Sequence, residues 1–251
     1  MVHFVGAGSG AADLITVRGA KLLSEADVII WAGSLVNPAL LAYAKPGCEI
    51  HDSARMTLEE VLAVIRAAEA AGKTSVRLHT GDPCLFGAVR EQYDALDALG
   101  IEYDVCPGVS AFCGAAAALK CEYTLPEIAQ SVVVARAAGR TPVPEGQTIR
   151  DLAGSGATLV IFLSAALAED VQAQLIDGGC SPDTPAAVVC RATWPDETVC
   201  RCTVGTLART VSDNGIGRTA LIVVGNALSD AVARSKLYDP GFSTGYREAK
   251  P

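Results

Sequence analysis

A chain of 251 residues, half of them hydrophobic and 19% charged, has apolar surface for one large core or two modest ones. That excludes both a disordered chain and a disulfide-stapled miniprotein. The formal net charge of −8 speaks against nucleic acid or an anionic membrane as a partner, because both demand a broad positive face.

No apolar run approaches membrane-spanning length, and strand-like sequence begins at Val2 with no basic leader or cleavage site, so a cytoplasmic protein without a membrane anchor is expected. The nine cysteines are odd in number and never spaced Cys-x-x-Cys. Only Cys200 and Cys202 are close; as alternate residues of a strand they read as small buried hydrophobes, and no metal site is expected.

In chain order, the first half alternates short β-rich runs with helical patterns. Strands are expected at 2–5, 27–31, 48–50, 75–80 and 103–106. A helix is expected over 57–71, where Leu58, Val61, Leu62 and Ile65 recur at helical spacing and Gly72 marks the stop; a second, rich in alanine and glycine, is expected over 110–119. The alternation predicts an α/β domain over residues 1–119, with a mostly parallel open sheet and helices on both faces. "KCEYTLPE" (120–127) breaks the pattern, so a linker over 120–128 and a second α/β domain over 129–251 are expected. Its strands fall at 131–136, 157–164, 186–192, 198–204 and 219–225. Two of them flank "TWPDE", which is hairpin length, so this sheet should be mixed. "GRTPVPEGQ" (139–147) reads as an exposed loop, the sequence after Asp230 has no clear periodicity, and no internal repeat is visible.

Three strand-to-helix loops of the first half carry the chemistry. In "FVGAGSGAADL", Gly6, Gly8 and Ala11 fit a loose dinucleotide fingerprint, yet the next strand ends in Trp31, Ala32 and Gly33 where a nicotinamide ribose needs an acid. A dinucleotide site and a tight turn without ligand both remain open from this loop alone. In "HTGDPCLFGA", Gly81 opens the backbone to a ligand, Asp82 offers an acceptor for an amine or a ribose hydroxyl, and Pro83 stiffens the turn; the same tripeptide is also a common turn. In "CPGVSAFCGAAA", Ser110 stands as N-cap or ligand donor.

These loops in this order, together with "TLVIFLS", "PAAVVCRATWPDE" and "TALIVVGNAL", resemble the tetrapyrrole (corrin/porphyrin) methylase family over nearly the whole chain. Where the family's opening often reads Gly-Pro-Gly-Asp, this chain has Gly8, Ser9, Gly10 and Ala11. Stretches such as "AGSLVNPALLAYAKPGCEIHDSARMTLEEV" and the terminal "SKLYDPGFSTGYR" are similar to family members that serve cobalamin biosynthesis. The resemblance implies two α/β domains with the active site in the cleft between them, S-adenosyl-L-methionine as methyl donor, S-adenosyl-L-homocysteine as product, a tetrapyrrole substrate and a homodimer. It implies cofactor contacts at Gly8, Thr80, Gly81, Asp82, Leu85, Ser110, Ala111, Leu163, Ala192, Thr219, Ala220 and Leu221. Asp82 is also the candidate catalytic group: it, or a water, accepts the proton the ring must lose.

A tetrapyrrole carries many carboxylates and the protein is acidic, so Arg55, Arg136 and Arg140 are the candidate substrate contacts. Ser34 and Asn37 either touch substrate or cap a helix from Pro38. Trp194 and Pro195 form the hairpin bend, or Trp194 stacks on a macrocycle. A sister methylase acting at another ring carbon and a non-catalytic cofactor sensor share these motifs, whereas a nicotinamide-dependent oxidoreductase shares the first loop alone.

Overall fold

In the computed structural model, which describes residues 1–230 and 235–250, the chain divides into two units. The first comprises Met1–Ala115 with Ala192–Asp196, and the second Ala116–Arg191 with Glu197–Pro251. Residues 231–234, where the aperiodic tail begins, and residue 251 lie outside the described residues.

The first unit contains β1 (Val2–Gly6), α1 (Val17–Glu25), β2 (Val28–Trp31), β3 (Glu49–Asp52), α2 (Leu58–Ala70), β4 (Ser75–His79), α3 (Arg90–Leu99), β5 (Tyr103–Cys106) and the start of α4 (Ala111–Leu119). The sheet order is β3-β2-β4-β1-β5, every pair parallel. The pleat of β1 and β2 sends Val2, Phe4, Val28 and Ile30 to one face, against Val61 and Ile65 of α2 and Leu96 of α3. It sends Val5 and Ile29 to the other, against Leu23 of α1. Each such side chain, wholly buried, contributes roughly 1.5–3 kcal/mol of transfer free energy. The ends of α2 follow from its sequence. Thr57 and Glu60 close a capping box at its start, and Gly72, at φ +67°, ends it.

This strand order places a topological switch between β1 and β4. From β1 the chain leaves through α1 on one face to reach β2; from β4 it leaves through α3 on the opposite face to reach β5. Open parallel sheets bind ligands beyond the carboxyl ends of such a pair, where the diverging helices leave a crevice.

The second unit contains β6 (Val132–Arg136), α5 (Ile149–Ala153), β7 (Thr158–Phe162), α6 (Ala168–Asp177), β8 (Pro185–Cys190), β9 (Thr198–Thr203), α7 (Leu207–Asp213) and β10 (Ala220–Val224). Its sheet, ordered β6-β7-β10-β8-β9, is mixed: β6 and β7 run parallel, and the other pairs antiparallel. The hairpin across "TWPDE" is present as β8–β9. Its core joins Leu159, Ile161, Val188 and Ile222 to Ile149, Val171, Leu175 and Leu207 of the helices, with Cys200 and Cys202 packed at its margin. Among the described residues no helix is long and apolar enough to cross a membrane.

Candidate active site

The turns after β1, β4 and β5 meet backbone to backbone. Gly8 and Gly81 exchange hydrogen bonds as a two-residue bridge, N to O at 3.2 Å one way and 2.9 Å the other. A Cβ on Gly6 would lie 2.6 Å from Gly108 Cα and 2.7 Å from Gly81 O, and one on Gly108 would lie 2.2 Å from Gly81 O. No side chain fits in either place, so Gly6 and Gly108 are required by close approach. The three predicted loops therefore form one block at the switch point.

Asp82 locks that block. Its Oδ1 accepts the N–H of Cys84 and its Oδ2 the N–H of Gly108, each at 2.8 Å. Burial disfavours the carboxylate, but hydrogen bonds from the thiol and amide of Cys84 and the amide of Gly108 outweigh it and hold its pKa below the ordinary value. Both oxygens of this carboxylate are engaged, and they tie the β4 turn to the β5 turn.

The donors of the opening loop speak against its dinucleotide reading. The amides of Ala7, Gly8 and Ala11 are spent on His79 O, Gly81 O and Thr193 Oγ1. Moreover, α1 starts only at Val17, where Thr16 Oγ1 caps Gly19 N at 3.0 Å, so it does not follow directly on the glycine turn as the helix of a pyrophosphate site does.

The other first-unit candidates line the same carboxyl edge. Thr80 is exposed, Leu85 half-buried, Ser110 buried and Ala111 partly buried at the start of α4. Ser34 follows β2 and Arg55 follows β3, both exposed. Their loops are joined by Asp52, whose Oδ1 accepts from Gly33 N and Ala54 N at 2.9 Å each. Asn37 caps the short 3-10 helix Pro38–Tyr43 through Oδ1 and donates from Nδ2 to Gly10 O at 2.9 Å. Trp194 packs on Gly10: a Cβ there would lie 2.3 Å from Trp194 Cδ1 and 2.6 Å from the carbonyl of buried Ala192.

Beneath the block, His79 is 5% exposed and stacks on Phe4 with ring centroids 5.9 Å apart. Burial, reinforced by the charge of Arg77, pushes its pKa down to about 3, so the ring is neutral.

In the second unit the predicted residues gather at one sheet edge. The strand directions bring Leu163 after β7, Arg191 after β8 and Thr219 before β10 to the same side, with Ala220 and Leu221 opening β10 opposite Cys190 and Val189. Leu163, Arg191 and Thr219 all have left-handed backbone, at φ 55°, 52° and 55°, and Arg191 N donates to Thr219 O at 2.8 Å. Each such non-glycine residue stores on the order of 1–3 kcal/mol of backbone strain. Leu163 is 65% exposed, an apolar side chain held out from the sheet.

The loop after β6 leaves from this edge too. Its root is fixed by Ser164 Oγ, which accepts Ala137 N–H at 2.8 Å. Arg136 turns its guanidinium onto that loop, donating to the carbonyls of Ala137, Thr141 and Pro142 at 3.2, 3.1 and 2.7 Å. Arg140 stands exposed on the same loop.

Asp52 and Thr193 hold these turns by hydrogen bonds and were passed over by sequence reasoning. The pattern of strand, acid and small residue in "HDSA" and "HTGDP" was available for Asp52 by analogy with Asp82, whereas Thr193 owes its place to a contact with Ser9, 184 positions away.

Residues 1–208 match the family model described as Tetrapyrrole (Corrin/Porphyrin) Methylases. The cobalt-precorrin-4 C(11)-methyltransferase of Methanocaldococcus jannaschii is 49% identical over 249 residues, covering 99% of this chain and 96% of that protein. A solved cobalt precorrin-4 methyltransferase superposes with a TM-score of 0.89 at 45% identity, covering 91% of this chain and 95% of the other. The uroporphyrin-III C-methyl transferase of Thermus thermophilus, solved in complex with S-adenyl homocysteine, gives a TM-score of 0.77 at 26% identity, covering 93% and 95%.

Proposed function

The chain belongs to the tetrapyrrole (corrin/porphyrin) methylases, and from that premise we propose that it transfers a methyl group from S-adenosyl-L-methionine to C-11 of precorrin-4, giving precorrin-5 on the route to cobalamin. The observation that carries this reading is the block of three strand-end turns, sealed by glycine contacts and Asp82 at the switch point. It occurs in a chain 49% identical, almost end to end, to a protein named for C-11 methylation.

The residues fit an adenosyl cofactor. Gly81 brings bare backbone to the edge, where a Cβ would meet nothing nearer than Ala111 N at 3.3 Å. Thr80 supplies an exposed hydroxyl, and Leu85 and Leu163 supply apolar surface of the kind that receives a purine. By resemblance, the proposed cofactor contacts are Gly8, Thr80, Gly81, Leu85, Ser110, Ala111 and Ala192 in the first unit, and Leu163, Thr219, Ala220 and Leu221 in the second. Asp82 acts through the loop it holds. When bound, the cofactor supplies a sulfonium methyl already activated by its positive charge.

The protein's task is then alignment and exclusion of water rather than acid-base chemistry. Holding two reactants in line at near-attack distance is worth up to about 7–11 kcal/mol, and the doubly tied turns at Asp82 and Asp52 give the edge the rigidity this needs. Arg55 and Arg140 are the proposed partners of substrate carboxylates; Arg136 holds the loop that carries Arg140. A cytoplasmic homodimer completes the proposal by resemblance, and sedimentation of the purified protein tests the oligomer.

Titration calorimetry with S-adenosylhomocysteine and, in parallel, with NADH tests the cofactor. Micromolar binding of the first alone is expected; binding of NADH alone would return the opening loop to the dinucleotide class and remove the methyl-transfer reading.

A further inference from the structure

The opening loop needs a restraint that its own sequence does not provide. Between β1 and the 3-10 turn at Ala12–Leu14 it holds Gly8 at φ +84° and Gly10 at φ +156° with no proline, so the free chain would sample many conformations. The restraint comes from the tip of the β8–β9 hairpin, residues 192–196, which belongs to the first unit. Thr193 Oγ1 accepts the N–H of Ala11 at 3.0 Å and shares a hydrogen bond with Ser9 Oγ at 3.2 Å. Ser9 is buried, and Gly114 of α4 presses on it so closely that a Cβ there would lie 2.7 Å from Ser9 Cβ.

Thr193 does this from left-handed backbone, φ 67°. That region is rare for a β-branched residue and persists only where surrounding contacts enforce it. The two hydrogen bonds to Ser9 and Ala11, with Trp194 packed on Gly10 between them, are such contacts. Asn37 Nδ2 takes the Gly10 carbonyl, and Gly8 pairs with Gly81. Restraint therefore passes by hydrogen bonds from Thr193 through the opening loop to Gly81 and Asp82.

We propose that Thr193 is a positioning residue: its hydroxyl clasps Ser9 and Ala11 and thereby sets the glycine turn against which S-adenosylmethionine binds. The proposal rests on the methyl-transfer reading for the identity of the ligand, and on hydrogen bonding alone for the clasp.

The test compares the full-length protein with Thr193→Val, which keeps shape and β-branching but loses the hydroxyl, and with Thr193→Ser, which keeps the hydroxyl. S-adenosylhomocysteine affinity is read by calorimetry and loop order by amide exchange at Ala11. In Thr193→Val, affinity should fall about tenfold, as expected for stranding buried polar partners, and Ala11 should exchange faster; Thr193→Ser should restore both. Thr193→Val behaving as wild type in both measurements, or Thr193→Ser failing alongside it, would overturn the clasp. Should Thr193→Val not fold, Ser9→Ala takes its place and should give a smaller change in the same direction; no change would count against the proposal. If the wild type binds no S-adenosylhomocysteine, the methyl-transfer reading falls, while exchange at Ala11 still decides the clasp.

Discussion

Asp82 Oδ2 accepts the backbone N–H of Gly108 at 2.8 Å, so one carboxylate serves the turn after β4 and the turn after β5. Removing it in Asp82→Ala strands two amides, at a cost of about 1–3 kcal/mol each. S-adenosylhomocysteine affinity should fall at least tenfold, while Asp82→Asn, which keeps one acceptor oxygen, should lose less. The folded pKa is depressed, so the contribution is present above the ordinary carboxylate range and is lost as pH falls through the folded value. Activity between pH 5 and 8 should show no ionisation from this group; a profile that follows a group near neutrality and disappears in Asp82→Asn would show that it does act as a base.

Glycines at the contact should differ sharply from glycines that only end helices. Gly108→Ala places a methyl 2.2 Å from Gly81 O and should cost about 1–3 kcal/mol by overpacking together with ligand binding. Gly72→Ala meets nothing within 4 Å but sits at φ +67°, so it should cost about 1 kcal/mol of backbone strain and leave binding intact. Urea unfolding with parallel calorimetry separates the two outcomes.

His79 should set the acid limb of stability. Its pKa, about 3 in the fold against 6.5 in the unfolded chain, means that the unfolded state takes up the proton first. Its contribution is complete above pH 6.5 and declines as pH falls from 6.5 toward 3, by up to about 1.4 kcal/mol per pH unit. Among the described residues Nε2 has no hydrogen-bond partner, so His79→Leu forfeits no bond at that atom. Unfolding free energies at pH 4.5, 5.5 and 6.5 should slope less in His79→Leu than in wild type; parallel slopes would place the titration elsewhere.

The two arginines around the β6 loop should separate kinetically. Arg140→Ala, losing an exposed cation, should raise the KM for the macrocycle about tenfold, the scale of a charge-assisted contact, with S-adenosylhomocysteine affinity unchanged. In Arg136→Lys the three carbonyl contacts of the guanidinium cannot be reproduced by a single ammonium, so the loop should become sensitive to proteolysis between residues 137 and 147. Equal KM effects without added cleavage would make Arg136 a direct substrate contact.

Much of this architecture was legible because burial imposes periodicity. Phe4 and Val5 point to opposite cores, and the helical spacing of Leu58, Val61, Leu62 and Ile65 announces α2 in its sequence. The strand expected at 48–50 lies instead at Glu49–Asp52, on the sheet edge, where Ile50 is 45% exposed and no apolar alternation marks its bounds. The three glycine loops were readable as ligand turns, but the task of Asp82 was not, since one of its partners lies 26 residues on. The place of Thr193 was further out of reach, because a polar residue in a hairpin tip carries no local sign of a partner near the N-terminus.

Methyl transfer to one ring carbon is most directly tested by incubating the protein with precorrin-4, with and without cobalt, and S-adenosylmethionine carrying a 13C methyl, then locating the label by NMR. A single enriched methyl on C-11, with an equivalent of S-adenosylhomocysteine released, is the predicted result. Label on another ring carbon would make this a sister methylase, and release of S-adenosylhomocysteine without ring labelling would contradict the account altogether.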